Sequence, residues 1–125
     1  MIKYQGLVWA GIYVEDLAAC MSFYQDVLGL PLLGQGEDWA HFDSGAGTLL
    51  ELFTGGRLMQ EPKQPHQQSI VLGLRVEDLD RAVAELQQKG IKFIPEESGE
   101  FAGTRWAHFS DIEGNRLEVK QITEN

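Results

Sequence analysis

The chain has 125 residues, 43% of them hydrophobic, with 19 acidic against 10 basic side chains and a net charge of −9. That length suits one compact domain or two small packed modules. The charge argues against a nucleic-acid or anionic-membrane binder, because both partners demand Lys and Arg to meet phosphates. Both halves are acidic, residues 1–60 with 7 acids and 2 bases and residues 61–125 with 12 and 8, so no basic stripe hides in the total. Cys20 is the single cysteine, which leaves no intrachain disulfide and no cysteine-based metal site. No stretch reaches transmembrane length and no signal-like pattern opens the chain, so a cytoplasmic protein is expected.

The first element is a strand over Gln5–Val14, apolar and aromatic with a glycine inside. Asp16 is placed to cap a helix whose apolar face is Leu17, Cys20, Met21, Tyr24, Val27 and Leu28, with Gly29 at the stop. Strands follow near Pro31–Gln35, Trp39–Asp43 and Thr48–Phe53, the last two joined by the turn Ser44-Gly45-Ala46-Gly47. Residues Gly55–Gln68 are polar, contain two prolines and lack apolar periodicity, which marks a connector. Ser69–Val76 is the next strand. Asp78 caps a second helix with Leu79, Val83 and Leu86 on its buried face and Gly90 at its end. Ile91–Ile94, Thr104–Ser110 and Arg116–Ile122 complete the strands, the last two separated by the turn Asp111-Ile112-Glu113-Gly114-Asn115. The expected modules are residues 5–54 and 69–123 about a connector at 55–68, together one domain over 1–125.

The two halves repeat. Val14-Glu15-Asp16-Leu17 recurs as Val76-Glu77-Asp78-Leu79, and Trp39-Ala40-His41-Phe42 recurs as Trp106-Ala107-His108-Phe109. Glu51 and Glu118 each stand ten residues after the matching histidine. A unit of roughly 60 residues buries little surface alone, so two copies are expected to pack together. Each copy reads βαβββ, an α+β fold.

This pattern, with Phe23-Tyr24-Gln25-Asp26-Val27-Leu28-Gly29-Leu30 and Asp111-Ile112-Glu113-Gly114-Asn115-Arg116-Leu117-Glu118, resembles the vicinal oxygen chelate superfamily. Its members include glyoxalase I, extradiol dioxygenases, and the fosfomycin- and bleomycin-resistance proteins. The resemblance runs from about Leu7 to Ile122. It implies two tandem βαβββ modules whose curved sheets form an open cup, commonly in a homodimer. Family enzymes usually carry a divalent metal, held by a first-strand histidine and a last-strand glutamate of each module. Here the glutamates are Glu51 and Glu118, but the first-strand positions hold Trp9 and Val71, which cannot coordinate a metal. Two carboxylates alone make a poor site for Zn, Ni or Fe. The pattern is therefore closest to metal-free bleomycin-resistance-type members.

His41 and His108 stand in the third strands, beside those bearing Glu51 and Glu118. Facing the cup, they would rebuild a two-His, two-Glu set; facing out, they are inert. Strand register decides this, and sequence alone leaves it open. Trp9 is expected to line the floor of the cup as a stacking surface. Trp39 and Trp106 are either opposed walls or core fillers. Arg105 either meets a ligand carboxylate or sits in a structural ion pair. No glycine-framed serine nucleophile and no phosphate loop appears. The expectation is a protein that binds a small aromatic or cationic molecule through Trp9, Trp39, His41, Glu51, Arg105, Trp106, His108 and Glu118. It carries no catalytic residue, no metal and no cofactor, forms a homodimer, and has no nucleic-acid or membrane partner. The alternative is a metal-dependent lyase, isomerase or dioxygenase using His41, His108, Glu51 and Glu118.

Overall fold

Each helix start is written into a single aspartate. In the computed structural model, which describes residues 1–123, Asp16 accepts a hydrogen bond from the Ala19 N–H and opens α1 (Leu17–Ser22). Asp78 accepts from the Arg81 N–H and opens α2 (Leu79–Gln88). A side-chain oxygen there satisfies an N–H the helix cannot pair internally.

The chain divides into two compact units between Arg57 and Leu58. The first is built from β1 (Trp9–Val14), α1, β2 (Leu32–Gln35), β3 (Trp39–Asp43) and β4 (Leu49–Thr54). Its four-stranded sheet has the order β1-β4-β3-β2, with β1 parallel to β4 and the other pairs antiparallel. The second consists of β5 (Leu72–Arg75), α2, β6 (Phe93–Phe101), β7 (Thr104–Ser110) and β8 (Arg116–Ile122), in the order β5-β8-β7-β6. Both are mixed sheets of one βαβββ module, so the α+β fold with tandem modules holds.

Each helix covers one face of its own sheet. In the first unit the buried set is Val14, Cys20, Phe23, Tyr24, Ala40, Phe42, Leu50 and Leu52; in the second it is Leu79, Ile91, Ala107, Phe109, Leu117 and Val119. Successive strand residues point to opposite faces, so burial of Ala40 and Phe42 sends Trp39 and His41 to the face away from the helix. The same rule places Trp106 and His108 opposite Ala107 and Phe109.

Several boundaries differ from expectation, the fifth strand for one running only over Leu72–Arg75 instead of Ser69–Val76. The first strand begins only at Trp9, and Ile2, Tyr4, Leu7 and Val8 ahead of it are exposed. The first helix passes into a π-helical turn over Phe23–Val27, where the Leu28 N–H bonds the Phe23 carbonyl. Phe23 and Tyr24, the first two residues of that wider turn, are both buried. Strand β6 runs on to Phe101 because Gly99, Glu100 and Phe101 pair with Trp106, Arg105 and Thr104 around the Ala102-Gly103 turn. Its register shifts between Ile94 and Gly99, where Pro95-Glu96-Glu97 breaks the alternation.

The connector is fastened to the second unit. The Met59 N–H bonds the Glu113 carbonyl at 3.1 Å and the Lys63 N–H bonds the Gly114 carbonyl at 2.8 Å.

Candidate functional site

The register of the first sheet lines up two rows on its helix-free face. Gly11, Glu51, His41 and Gly34 form one row, and Tyr13, Phe53 and Trp39 form the next. In the first row His41 Nε2 lies 3.0 Å from Glu51 Oε1. Trp9 donates its indole N–H to the same oxygen at 3.0 Å. The indole can reach it because Gly11 is bare: a Cβ there would come within 2.3 Å of the Trp9 ring.

Around this carboxylate the surface is aromatic. Tyr13 meets Phe53 edge-on with centroids 4.3 Å apart, and Trp9 lies nearly parallel to Phe53 at 6.1 Å. Trp39 packs on the His41 ring at 4.6 Å. Trp9, Tyr13 and Trp39 remain 48%, 61% and 37% exposed. Exposed aromatic clusters of this kind bury large areas when a flat molecule covers them.

The second sheet repeats the rows with other chemistry. Gly73, Glu118, His108 and Ile94 match the first row, while Arg75, Lys120, Trp106 and Gly99 match the second. His108 Nε2 lies 3.0 Å from Glu118 Oε1, as in the first unit. Its Nδ1 is 2.8 Å from Glu97 Oε1, the residue that the β6 register shift brings onto this face. Lys120 Nζ sits 3.2 Å from Glu118 Oε2 and 5.7 Å from the centre of the Trp106 ring. Arg116 Nε is 3.0 Å from Glu97 Oε1, close enough for an ion pair, although its N–H is not aimed at the oxygen and finds no hydrogen-bond acceptor among the described residues.

Seven of the eight residues singled out from sequence thus lie on helix-free faces: Trp9, Trp39, His41 and Glu51 in the first unit, Trp106, His108 and Glu118 in the second. Arg105 does not. It shares the helix side of β7 with Ala107 and Phe109, where it pairs with Asp80 of α2 at 2.8 Å and lies 3.9 Å from Glu100. The hydrogen bond, then the charge, of Arg105 holds the Asp80 carboxyl below the usual carboxylate range, and the same contacts raise the guanidinium. Both groups are exposed enough that solvent mutes this pair. Sequence reasoning missed Glu97 and Lys120. Lys120, two residues past Glu118, could have been found by alternation; Glu97 could not, because it sits in the irregular stretch of β6.

No group of three or more His, Cys, Asp or Glu side chains among the described residues is placed to hold a metal ion. Among the described residues, no helix is long and apolar enough to cross a membrane.

Comparison with known proteins places the chain in a family. The model of the Glyoxalase/Bleomycin resistance protein/Dioxygenase superfamily matches residues 6–119. The chain belongs to that superfamily. The chain is 33% identical over 122 residues to the uncharacterized protein YraH of Bacillus subtilis (strain 168), across 89% of this chain and 94% of YraH. Among solved structures, TnmS3, an antibiotic binding protein from Streptomyces sp. CB03234, matches with a TM-score of 0.74 at 25% identity, over 98% of this chain and 100% of its own. Lactoylglutathione lyase from Agrobacterium tumefaciens matches with a TM-score of 0.72 at 19% identity, covering 95% of each chain. At that identity the likeness to the lyase speaks for the fold alone.

Proposed function

We propose that this superfamily member is a metal-free binding protein that holds a small flat molecule, aromatic or cationic, on the helix-free face of its first unit. The observation that carries the reading is the gathering of Trp9, Tyr13, Phe53 and Trp39 around the Glu51 carboxylate. Stacking supplies affinity and the carboxylate favours a cation. The likeness to TnmS3, an antibiotic binding protein, supports a binding role.

The donor set argues against the family's divalent metal. The first-strand position in β1 is an indole whose N–H points at Glu51 Oε1, and a hydrogen aimed at that oxygen opposes a cation there. His41 Nε2 is directed at the same oxygen, and both nitrogens of His108 lie against carboxylates. The lyase, isomerase or dioxygenase alternative draws support from His41 and Glu51, and His108 and Glu118, pairing on shared faces. It would need those imidazoles released from their carboxylates.

Titration of tryptophan fluorescence with 9-aminoacridine, ethidium and 2-naphthol tests the reading. Saturable quenching is expected for at least one. Trp9→Ala should weaken the tightest of them by about 1–3 kcal/mol, through loss of the stacking surface and of the bond that orients Glu51. Unchanged affinity in Trp9→Ala, or binding of none of the probes, would overturn it, and near-integer retention of Mn, Ni, Zn or Fe(II) after desalting would overturn its metal-free part.

We also propose a homodimer. Ile2, Tyr4, Leu7 and Val8 are exposed ahead of β1, and such an apolar arm beside a strand edge suits pairing with a second copy. Light scattering should give twice the mass of one chain at micromolar concentration; a monomer would contradict it.

A further inference from the structure

The repeat allows two related carboxylates to be compared atom by atom. Each has one oxygen 3.0 Å from Nε2 of a histidine on the neighbouring strand. They differ at the second oxygen. Glu118 Oε2 is met by Lys120 Nζ at 3.2 Å, and the His108 ring is shared with Glu97. Glu51 directs both of its protein contacts, Trp9 Nε1 and His41 Nε2, to Oε1. Its Oε2 has no partner among the described residues, on a side chain 21% exposed.

The rows beside them have diverged in the same sense. Tyr13, Phe53 and Trp39 of the first unit correspond to Arg75, Lys120 and Trp106 of the second. The second face therefore neutralises its own carboxylates with Lys120 and Arg116. The first offers a carboxylate and no cation. Residues 1–57 contain only Lys3 and Arg57 as basic side chains, against seven acids.

Resting on the binding role argued above, we infer that Glu51 Oε2 is the acceptor for a hydrogen-bond donor on the ligand, and that the ligand class is a planar aromatic carrying an N–H or O–H, above all an aromatic amine that is protonated. Glu118 is an internal carboxylate that meets no ligand. The indole N–H of Trp9 and Nε2 of His41 converge on one oxygen. They fix the carboxylate plane and are spent there, so the polar atom left for an incoming molecule is an acceptor. A ligand that can only accept would face an unpaired anion and leave Oε2 desolvated, which is costly. An anionic aromatic would be repelled outright.

The test compares matched probes on the unaltered protein and on Glu51→Gln and Glu118→Gln, by calorimetry at fixed salt. The pairs are 9-aminoacridine against acridine, and 2-naphthol against 2-methoxynaphthalene. Within each pair the donor should bind roughly tenfold or more tightly, the size of a hydrogen bond to a charged group. Glu51→Gln should remove most of that preference and Glu118→Gln should keep it. The preference on unaltered protein stands as a test even where a variant fails to fold. Equal binding within both pairs would overturn the donor assignment and leave the binding role intact. Loss of the preference in Glu118→Gln to the same extent as in Glu51→Gln would overturn the division of roles. Binding of no probe would overturn the binding role itself, and the assignment with it.

Discussion

Asp111→Ala is expected to lower the stability of the protein by about 3–5 kcal/mol, because one buried carboxylate satisfies three donors at once. Its Oδ1 accepts the N–H groups of Glu113 and Asn115, each at 2.9 Å, and its Oδ2 accepts Asn115 Nδ2 at 2.9 Å. Asp111 and Asn115 are each only 5% exposed. Alanine would strand two backbone N–H groups and a side-chain amide where water does not readily replace it. The damage spreads, since the turn also holds the connector: Lys63 Nζ bonds Asn115 Oδ1, and the carbonyls of Glu113 and Gly114 accept from Met59 and Lys63. Gly114 shows how close the turn and the connector run. Its φ is +83°, and a Cβ would lie 2.4 Å from the Glu61 carbonyl oxygen. Urea denaturation followed by circular dichroism measures the change. A loss under 1 kcal/mol would mean that the turn holds its shape without the aspartate.

That clamp also shows where sequence reasoning ran out. The Asp111–Asn115 turn was readable because Asp, Gly and Asn have local chemistry that needs no partner far along the chain. Its attachment to residues 59–63 was not, because irregular backbone pairing with irregular backbone leaves no periodic trace. Helix starts were legible for the first reason, Asp16 and Asp78 acting within three residues of themselves. The end of β6 was lost for the second, since its Gly99–Phe101 segment follows a register shift.

The candidate site divides along the same line. Alternation told that Trp39 and His41 share a face, and likewise Trp106 and His108, but not which face; Phe42 and Phe109 are as apolar as the tryptophans are aromatic. The helix side took Ala40 with Phe42 and Ala107 with Phe109, small-plus-large pairs that fit under a helix. Arg105 follows from the same register: one residue before Trp106, it has to point the other way, towards Asp80. Parity along β7 could have separated it from His108.

Because register positions the candidate site, the phenylalanines that fix it should be as costly to remove as Asp111. Phe42 and Phe109 are fully buried, 67 positions apart in the repeat, each next to the histidine that faces away from the helix. Phe42 packs near Tyr24 with centroids 6.1 Å apart, and Phe109 meets Phe93 at 5.5 Å. Truncation to alanine removes a ring that nothing adjacent can replace, so each variant should lose about 3–5 kcal/mol. The residues belong to different compact units and have no shared aromatic partner, so the double variant should lose the sum to within about 0.5 kcal/mol if it still folds. Urea titration of the three variants decides this. A single loss below 1 kcal/mol would show that the ring is not what holds its strand in register. Slippage of β3 by one residue would bury His41 and Trp39 under the helix and take the Glu51 contact with them. Phe42→Ala should therefore also weaken any ligand that depends on Glu51, while Phe109→Ala, acting on the other unit, should not.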